Sequence, residues 1–277
     1  MRKISTILIL VFITGTFSFG QNADEILEEG KLLYRLEKAS WHGTDVFIEM
    51  FPHKIDEVGG YLSYLNENNQ VINLFFKKEN PFYILARFEF ESLSQKYPIM
   101  IDTLNHIATQ QETDLITIRQ DAIQKVFENK DGFFSFYENT SPNPIPLIHK
   151  GKKRVFILTG PKISNVVIIG NDYLFTYNDK NKFVKKEKIH NSILQYPYKS
   201  DDPKNKVEST FHSHILSDYI TSTDICTLLL YKDYVEWKQH YVISKKYVSI
   251  FDLEKESLAI ITRKAWDKMN ESQKNKK

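Results

Sequence analysis

Apolar residues recur along this chain with two spacings, one near 3.6 residues and one of two, and the places where they exchange predict the elements. Between residues 22 and 41, Ile26, Leu33 and Leu36 fall on one stripe behind an acidic first turn of Asp24 and Glu25, which predicts a helix stopped by Gly43. His42 then lies near a helix end, where a cation meets unpaired carbonyls. Residues 61–65, 71–76 and 82–90 are β-branched and aromatic runs between Asn- and Pro-containing turns, the pattern of a three-stranded antiparallel meander. A second helix is predicted over 114–129, where Leu115, Ile118, Ala122 and Val126 form the stripe and Gly132 follows the end.

The stretch 138–146 carries Pro142, Pro144 and Pro146 and reads as a loop, because each proline removes a backbone donor and biases its predecessor away from helix. Beyond it, strands are expected at 154–159, 166–169, 173–177 and 183–189, joined by Gly- and Asn-rich turns. A polar surface loop covers 198–206. A strand (207–212), a polar loop, a helix (223–238) and two strands (241–243 and 247–251) complete the pattern. The expected fold is α+β, with largely antiparallel sheets and a few flanking helices, divided into an N-terminal region 21–137 and a C-terminal region 138–277.

The first twenty residues read as a leader instead of structure. Arg2 and Lys3 precede an apolar run from Ile7 to Ile13, and Ser18 and Gly20 are small residues suited to a cut near Gly20/Gln21, so the mature chain is expected in the periplasm or outside the cell. No later apolar run approaches the length of a membrane span. Of the 37 Lys and Arg, two fall in the leader, and the remainder balance the 35 Asp and Glu, which argues against nucleic acid as a partner. Cys226 is the one cysteine, so no internal disulfide can form and stability must come from the core, helped by any bound metal.

The residues richest in chemistry are His212-Ser213-His214, followed by a short polar loop and Thr221-Ser222-Thr223-Asp224. In an extended segment, positions i and i+2 share a face about 7 Å apart, so both imidazoles can reach one ion, and Asp224 at the mouth of the next helix can supply a third ligand. Zinc is the ion such a set implies. Thr210, His212 and His214 share a face with Glu208, opposite Val207, Ser209 and Phe211, which places the histidines on a polar face instead of a core one.

Over about 45 residues this segment resembles the JAMM (JAB/MPN+) metallopeptidases, whose pattern is His-x-His, a loop, Ser-x-x-Asp opening a helix, and a following strand. The resemblance implies a JAB-like C-terminal part with His212, His214 and Asp224 as zinc ligands. It puts Thr221, with Ser222 beside it, in the oxyanion-stabilising position, and it implies an upstream Glu as general base, for which Glu138 is the nearest acidic candidate. The substrate would be a peptide or isopeptide bond. The loop is one residue shorter than that pattern, and Ile215 stands where the family has Pro. The longer phrase from His212 to Thr227 is also similar to exported bacterial proteins that carry no assigned reaction.

Two other readings of the same residues stand beside this one. Thr221 and Asp224 fit a capping box, in which the hydroxyl accepts from backbone N–H groups and the acid complements the helix start, so Asp224 needs no metal. Cys226 lies in the first turn of that helix, where a lowered thiol pKa and a histidine base would make a nucleophile, or it is a small core residue beside Leu229 and Leu230. His149, His190 and His240 flank predicted strands at ordinary loop positions. No Gly-rich phosphate loop, nucleophile elbow or His-Glu-x-x-His helix occurs. The function classes left are an exported zinc-dependent hydrolase and a non-catalytic envelope protein that binds a partner while its His-Asp cluster is structural.

Overall fold

The computed structural model describes residues 17–199 and 206–274. The basic and apolar parts of the expected leader lie outside the described residues, as does most of the 198–206 loop. Helix α1, Phe17–Met50, is the longest element at 34 residues, about 50 Å at 1.5 Å per residue. The expected cut after Gly20 falls at its first turn, and Leu33, Leu36, Ala39, Val46 and Phe47 form its buried stripe. Gly43 does not stop this helix. A Cβ at that position would fall on the Asn73 side chain, so the glycine lets α1 lie directly against the neighbouring strand. Gly30 does the same towards the third helix, where an added Cβ would come within 2.6 Å of Ile225. His42 therefore sits inside the helix instead of at its end, with its ring nitrogen 3.1 Å from the Leu93 carbonyl.

The expected meander is present as β1 (Val58–Leu65), β2 (Val71–Lys77) and β3 (Ile84–Phe90), extended by β4 (Met100–Asp102) in consecutive antiparallel order. Helix α2, Gln110–Glu128, covers one face of it and buries Leu115 and Ile116 among Leu62, Leu74, Phe76 and Ile84. It begins four residues earlier than its apolar stripe suggests, because Thr109 and Glu112 form a capping box, and it ends on Asn129 in the left-handed conformation.

Residues 140–149 form a strand, not a loop. Strand β5 (Thr140–His149) is an edge of the sheet β5-β6-β8-β9, with β6 (Lys152–Pro161), β8 (Tyr173–Tyr177) and β9 (Phe183–Lys188). Pro142, Pro144 and Pro146 recur at the strand period, so all three missing donors fall on the side facing away from β6, and the intervening residues keep the ladder. Alternate prolines cost an edge strand nothing that a central strand would need.

Strand β7 (Val166–Gly170) pairs with β10 (Ile193–Pro197) in a separate two-stranded sheet. The last sheet has the order β11-β12-β13-β14: β11 (Ser209–Ser213), β12 (Gln239–Ile243), β13 (Tyr247–Asp252) and β14 (Ser257–Thr262), followed by helix α4 (Arg263–Lys274). Strands β11 and β12 are parallel, so the chain must cross over between them, and helix α3 (Ser222–Tyr231) is that crossover. The helix is shorter than the predicted 223–238, because the chain must return alongside β11, where Lys238 N donates to Glu208 O. The architecture is α+β, and β11–β12 is the one parallel pairing among these sheets. One buried apolar cluster draws on Leu36 and Phe88 before residue 138 and on Ile145, Leu228 and Phe251 after it. Among the described residues, no helix is long and apolar enough to cross a membrane.

Candidate metal centre

Strand alternation sets the first candidate ligand. Along β11, Thr210 and His212 point inward while Phe211 points out and is 65 % exposed. The histidine face is thus the buried one, the reverse of a polar strand surface, because Asp224 at the start of α3 and the His190 segment close over that side. His214 continues the strand direction by donating its backbone N–H to Ile243 O, which keeps its ring on the same side as His212. A tight turn follows, in which Ser217 Oγ donates to Tyr219 O, and Ile220 N is anchored on Ser249 Oγ at 3.1 Å. That turn delivers Thr221 as the cap of α3. Its hydroxyl accepts from Asp224 N, while its backbone N–H and its hydroxyl both donate to Asp224 Oδ2 at 2.8 Å.

The fourth member comes from a different part of the chain. His190 lies between β9 and β10, where its backbone N–H and that of Ile189 donate to Asp172 O. Its Nδ1 lies 3.2 Å from Asp172 Oδ2, and Asp172 Oδ1 in turn accepts from Thr159 N. His190, His212, His214 and Asp224 are all buried, and one donor atom from each lies within 4.8 Å of the others. His190 Nε2 is 3.2 Å from both His214 Nε2 and Asp224 Oδ1; His214 Nε2 is 3.3 Å from Asp224 Oδ2, and His212 Nε2 is 3.8 Å from Asp224 Oδ1. Ligands at about 2.0–2.1 Å from a tetrahedral zinc are separated by about 3.3–3.4 Å; the separations of 3.2 and 3.3 Å lie near that value, and His212 stands farther out at 3.8 Å.

Proton placement agrees with that use. His214 Nδ1 lies 2.7 Å from the Tyr219 carbonyl, which can only accept, so the proton belongs on Nδ1 and the Nε2 lone pair faces the centre. His212 Nδ1 meets His240 Nε2 at 2.7 Å, and His240 Nδ1 meets Thr210 Oγ1 at 2.7 Å, a relay that ends on a hydroxyl. Burial holds His212 down to about 4 and His240 down to about 3, so both rings stay neutral, as a ligand and its outer partner must. His190 is the opposite case: burial opposes its charge, yet the Asp224 and Asp172 carboxylates outweigh burial and raise it to about 10. Asp224 stays ionised well below the usual carboxylate range despite its burial, because His190 and His214 face it. A divalent cation here would exchange for the proton that otherwise sits on His190. Two buried atoms at the centre, His212 Nε2 and Asp224 Oδ1, have no hydrogen-bond partner, which is what a site shaped for an ion leaves behind.

The structure thus brings His212, His214 and Asp224 together and adds His190, which the sequence reading left at an ordinary loop position. The signal that could have found it is the composition of the 189–192 segment, a histidine between the apolar Ile189 and the β10 run. The residues expected to act in catalysis make contacts of their own. The Thr221 hydroxyl is engaged in the cap, the Ser222 hydroxyl donates to Glu29 of α1 at 3.0 Å, and Glu138 is exposed in the turn before β5. Cys226 lies two residues past Asp224, about 200° around the helix, in the apolar core, where burial pushes its thiol well above the ordinary value. It is the small core residue and not a nucleophile.

A cleft of about 60 Å³ opens beside the cluster, lined by His190, His212 and His214 and rimmed by the exposed Leu194, Ile215 and Leu216. It has room for a few waters. Compared with known proteins, the chain matches no family model, no curated protein and no solved structure, so its own geometry carries the functional reading.

Proposed function

We propose that this chain is an exported zinc-binding protein in which His190, His212, His214 and Asp224 hold the ion as four protein ligands, a centre that ties the β9–β10 connection to the β11–α3 unit. The observation that carries this reading is that donor atoms of three imidazoles and a carboxylate converge on one buried point, while the outer nitrogen of each ring faces a separate partner: Asp172, His240 or the Tyr219 carbonyl. Three imidazole nitrogens and one carboxylate oxygen suit zinc, and a set of four protein ligands is the composition of a structural site. In this reading the protein acts by binding an envelope partner, and the ion holds the binding scaffold together.

A zinc-dependent peptide or isopeptide hydrolase is the second reading, favoured by the cleft on the three imidazoles and by the resemblance of the His-x-His/Asp phrase. A bound ion would polarise a carbonyl and acidify a water there, but His190 takes the position that a water or substrate needs. One experiment separates the two. Purified mature protein is loaded with zinc, its metal content is measured, and it is incubated with peptide and isopeptide substrates. About one ion per chain, lost in His190→Ala, with no turnover in the parent, supports the structural centre. Turnover abolished by His212→Ala but retained in His190→Ala supports the hydrolase, and no saturable zinc overturns both.

A further inference from the structure

A second cavity of about 210 Å³ lies between α1, α3 and the β5–β6 hairpin, half open to solvent. It is distinct from the ion cluster and its cleft. Its walls include three aromatic rings from three elements, Trp41 of α1, Tyr61 of β1 and Tyr231 of α3, and the carboxyl of Glu37. Trp41 and Tyr231 meet edge to face with their centroids 5.5 Å apart, so the rings brace one another and form a fixed wall.

Glu37 is the unusual member. It is 6 % exposed, Trp41 Nε1 donates to its Oε1 at 2.8 Å and the Asn143 side-chain amide also donates to the carboxyl, but among the described residues no basic nitrogen reaches it within 4.0 Å. The nearest cation, Arg119 of α2, acts on it only from farther away, with its guanidinium 5.5 Å over the Tyr61 ring and its own Nε without a partner. Burial pushes the Glu37 carboxyl up to about 7, the expected cost of a carboxylate taken out of water without an ion pair. Buried carboxyl groups ordinarily find a cation inside the protein. Here the open side of the group is a cavity walled by aromatic faces, the surroundings that attract an organic cation.

We propose that this cavity is a ligand site for a small organic ammonium, whose positive charge sits against Glu37 and whose carbon substituents pack on the rings of Trp41, Tyr61 and Tyr231. A neutral ligand would fill the same space but leave the Glu37 carboxylate without a counter-charge. The site is independent of zinc, and it gives the chain a small-molecule function whichever reading of the ion centre holds.

The test is titration calorimetry of the full mature chain with tetramethylammonium, set against tert-butanol, an uncharged probe of similar shape. Saturable binding of tetramethylammonium is expected, at least tenfold tighter than tert-butanol. Glu37→Gln, which keeps the shape and removes the charge, should weaken tetramethylammonium by at least tenfold and leave tert-butanol unchanged. The Trp41 indole N–H resonance, identified by its loss in Trp41→Phe, should shift with tetramethylammonium in the parent, a readout that needs no folded variant at Glu37. Binding should persist in His212→Ala, which separates this site from the ion centre. Equal affinity for both probes, unchanged affinity in Glu37→Gln, or no saturable binding and no Trp41 shift in the parent would each overturn the proposal.

Discussion

At the start of α2, Thr109 and Glu112 form a capping box, and at the start of α3, Thr221 and Asp224 form another. In both, the threonine side chain accepts from the N3 backbone N–H and the N3 acid returns a bond to the cap, and both acids are buried at 0 % and 1 % exposure. The difference lies in what faces the rest of each carboxylate. Arg87 clamps Glu112 through two bonds of 2.7 and 2.9 Å, and Tyr64 donates a third at 2.9 Å, so every acceptor is satisfied within the protein. Asp224 meets no guanidinium among the described residues. Its Oδ1 has no hydrogen-bond partner, and the groups around it are His190, His212 and His214. The same local cap can therefore finish as a structural ion pair or as part of a ligand set, and the choice is made by residues distant in sequence.

The largest expected effect is on the α3 side. Zinc at about a thousand times its dissociation constant stabilises a folded-state-only site by about 4 kcal/mol, on the order of 10 °C in melting temperature for a chain of this size. A chelator should remove that increment from the parent and have no effect on Asp224→Asn, which keeps the cap shape but loses the charge. A parent melting curve indifferent to zinc and chelator would erase the distinction between the two caps.

On the α2 side, Glu112→Gln strands Arg87 with only the more distant Asp102 at 3.3 Å, and the loss is expected to be about 3 kcal/mol by denaturant unfolding, with zinc content unchanged. Zinc loss in Glu112→Gln would show that the two caps are not independent.

Glu37 is a third buried acid, with neither a guanidinium nor a histidine within ion-pair range among the described residues. Its folded-state value of about 7 lies above the ordinary 4.5, so between these values the folded chain binds more protons than the unfolded one, and stability falls as pH rises through that window. The full difference is on the order of 3 kcal/mol at and above the folded value, and Glu37→Gln should flatten this part of the stability profile. A profile that keeps its slope in the variant would assign the effect to another group.

The smallest contrast is between the caps themselves. Thr109→Ala and Thr221→Ala should each cost about 1 kcal/mol, but only Thr221→Ala should also weaken zinc, because Asp224 Oδ2 loses the hydroxyl that orients it. Equal zinc affinity in the two variants would mean that the cap does not position the ligand.

What could be read from the chain follows the range of the interactions involved. The meander, α2 and the His212–Asp224 unit depend on period, turn and cap, all local, and the sequence reading placed them within a few residues. His190 and His240 read as ordinary loop positions in the sequence because their placement depends on pairings between separated segments: β7 with β10 brings His190 in, and β12 parallel to β11 sets His240 beside His212. The three misread positions share a cause. Gly43 and the prolines of β5 were judged by their backbone preferences, whereas close packing against Asn73 and an edge position decide what they do, and His42 was placed by the helix end that Gly43 did not supply.

The central claim is that one ion is held by three imidazoles and one carboxylate. Zinc K-edge X-ray absorption on the loaded protein tests it directly. The account predicts four nitrogen or oxygen neighbours at about 2.0–2.1 Å with the outer-shell scattering of three imidazoles, and loss of the bound zinc from His190→Ala carried through the same loading. A spectrum with fewer than three imidazoles in the parent, a sulfur neighbour, or a shell unchanged in His190→Ala would contradict it.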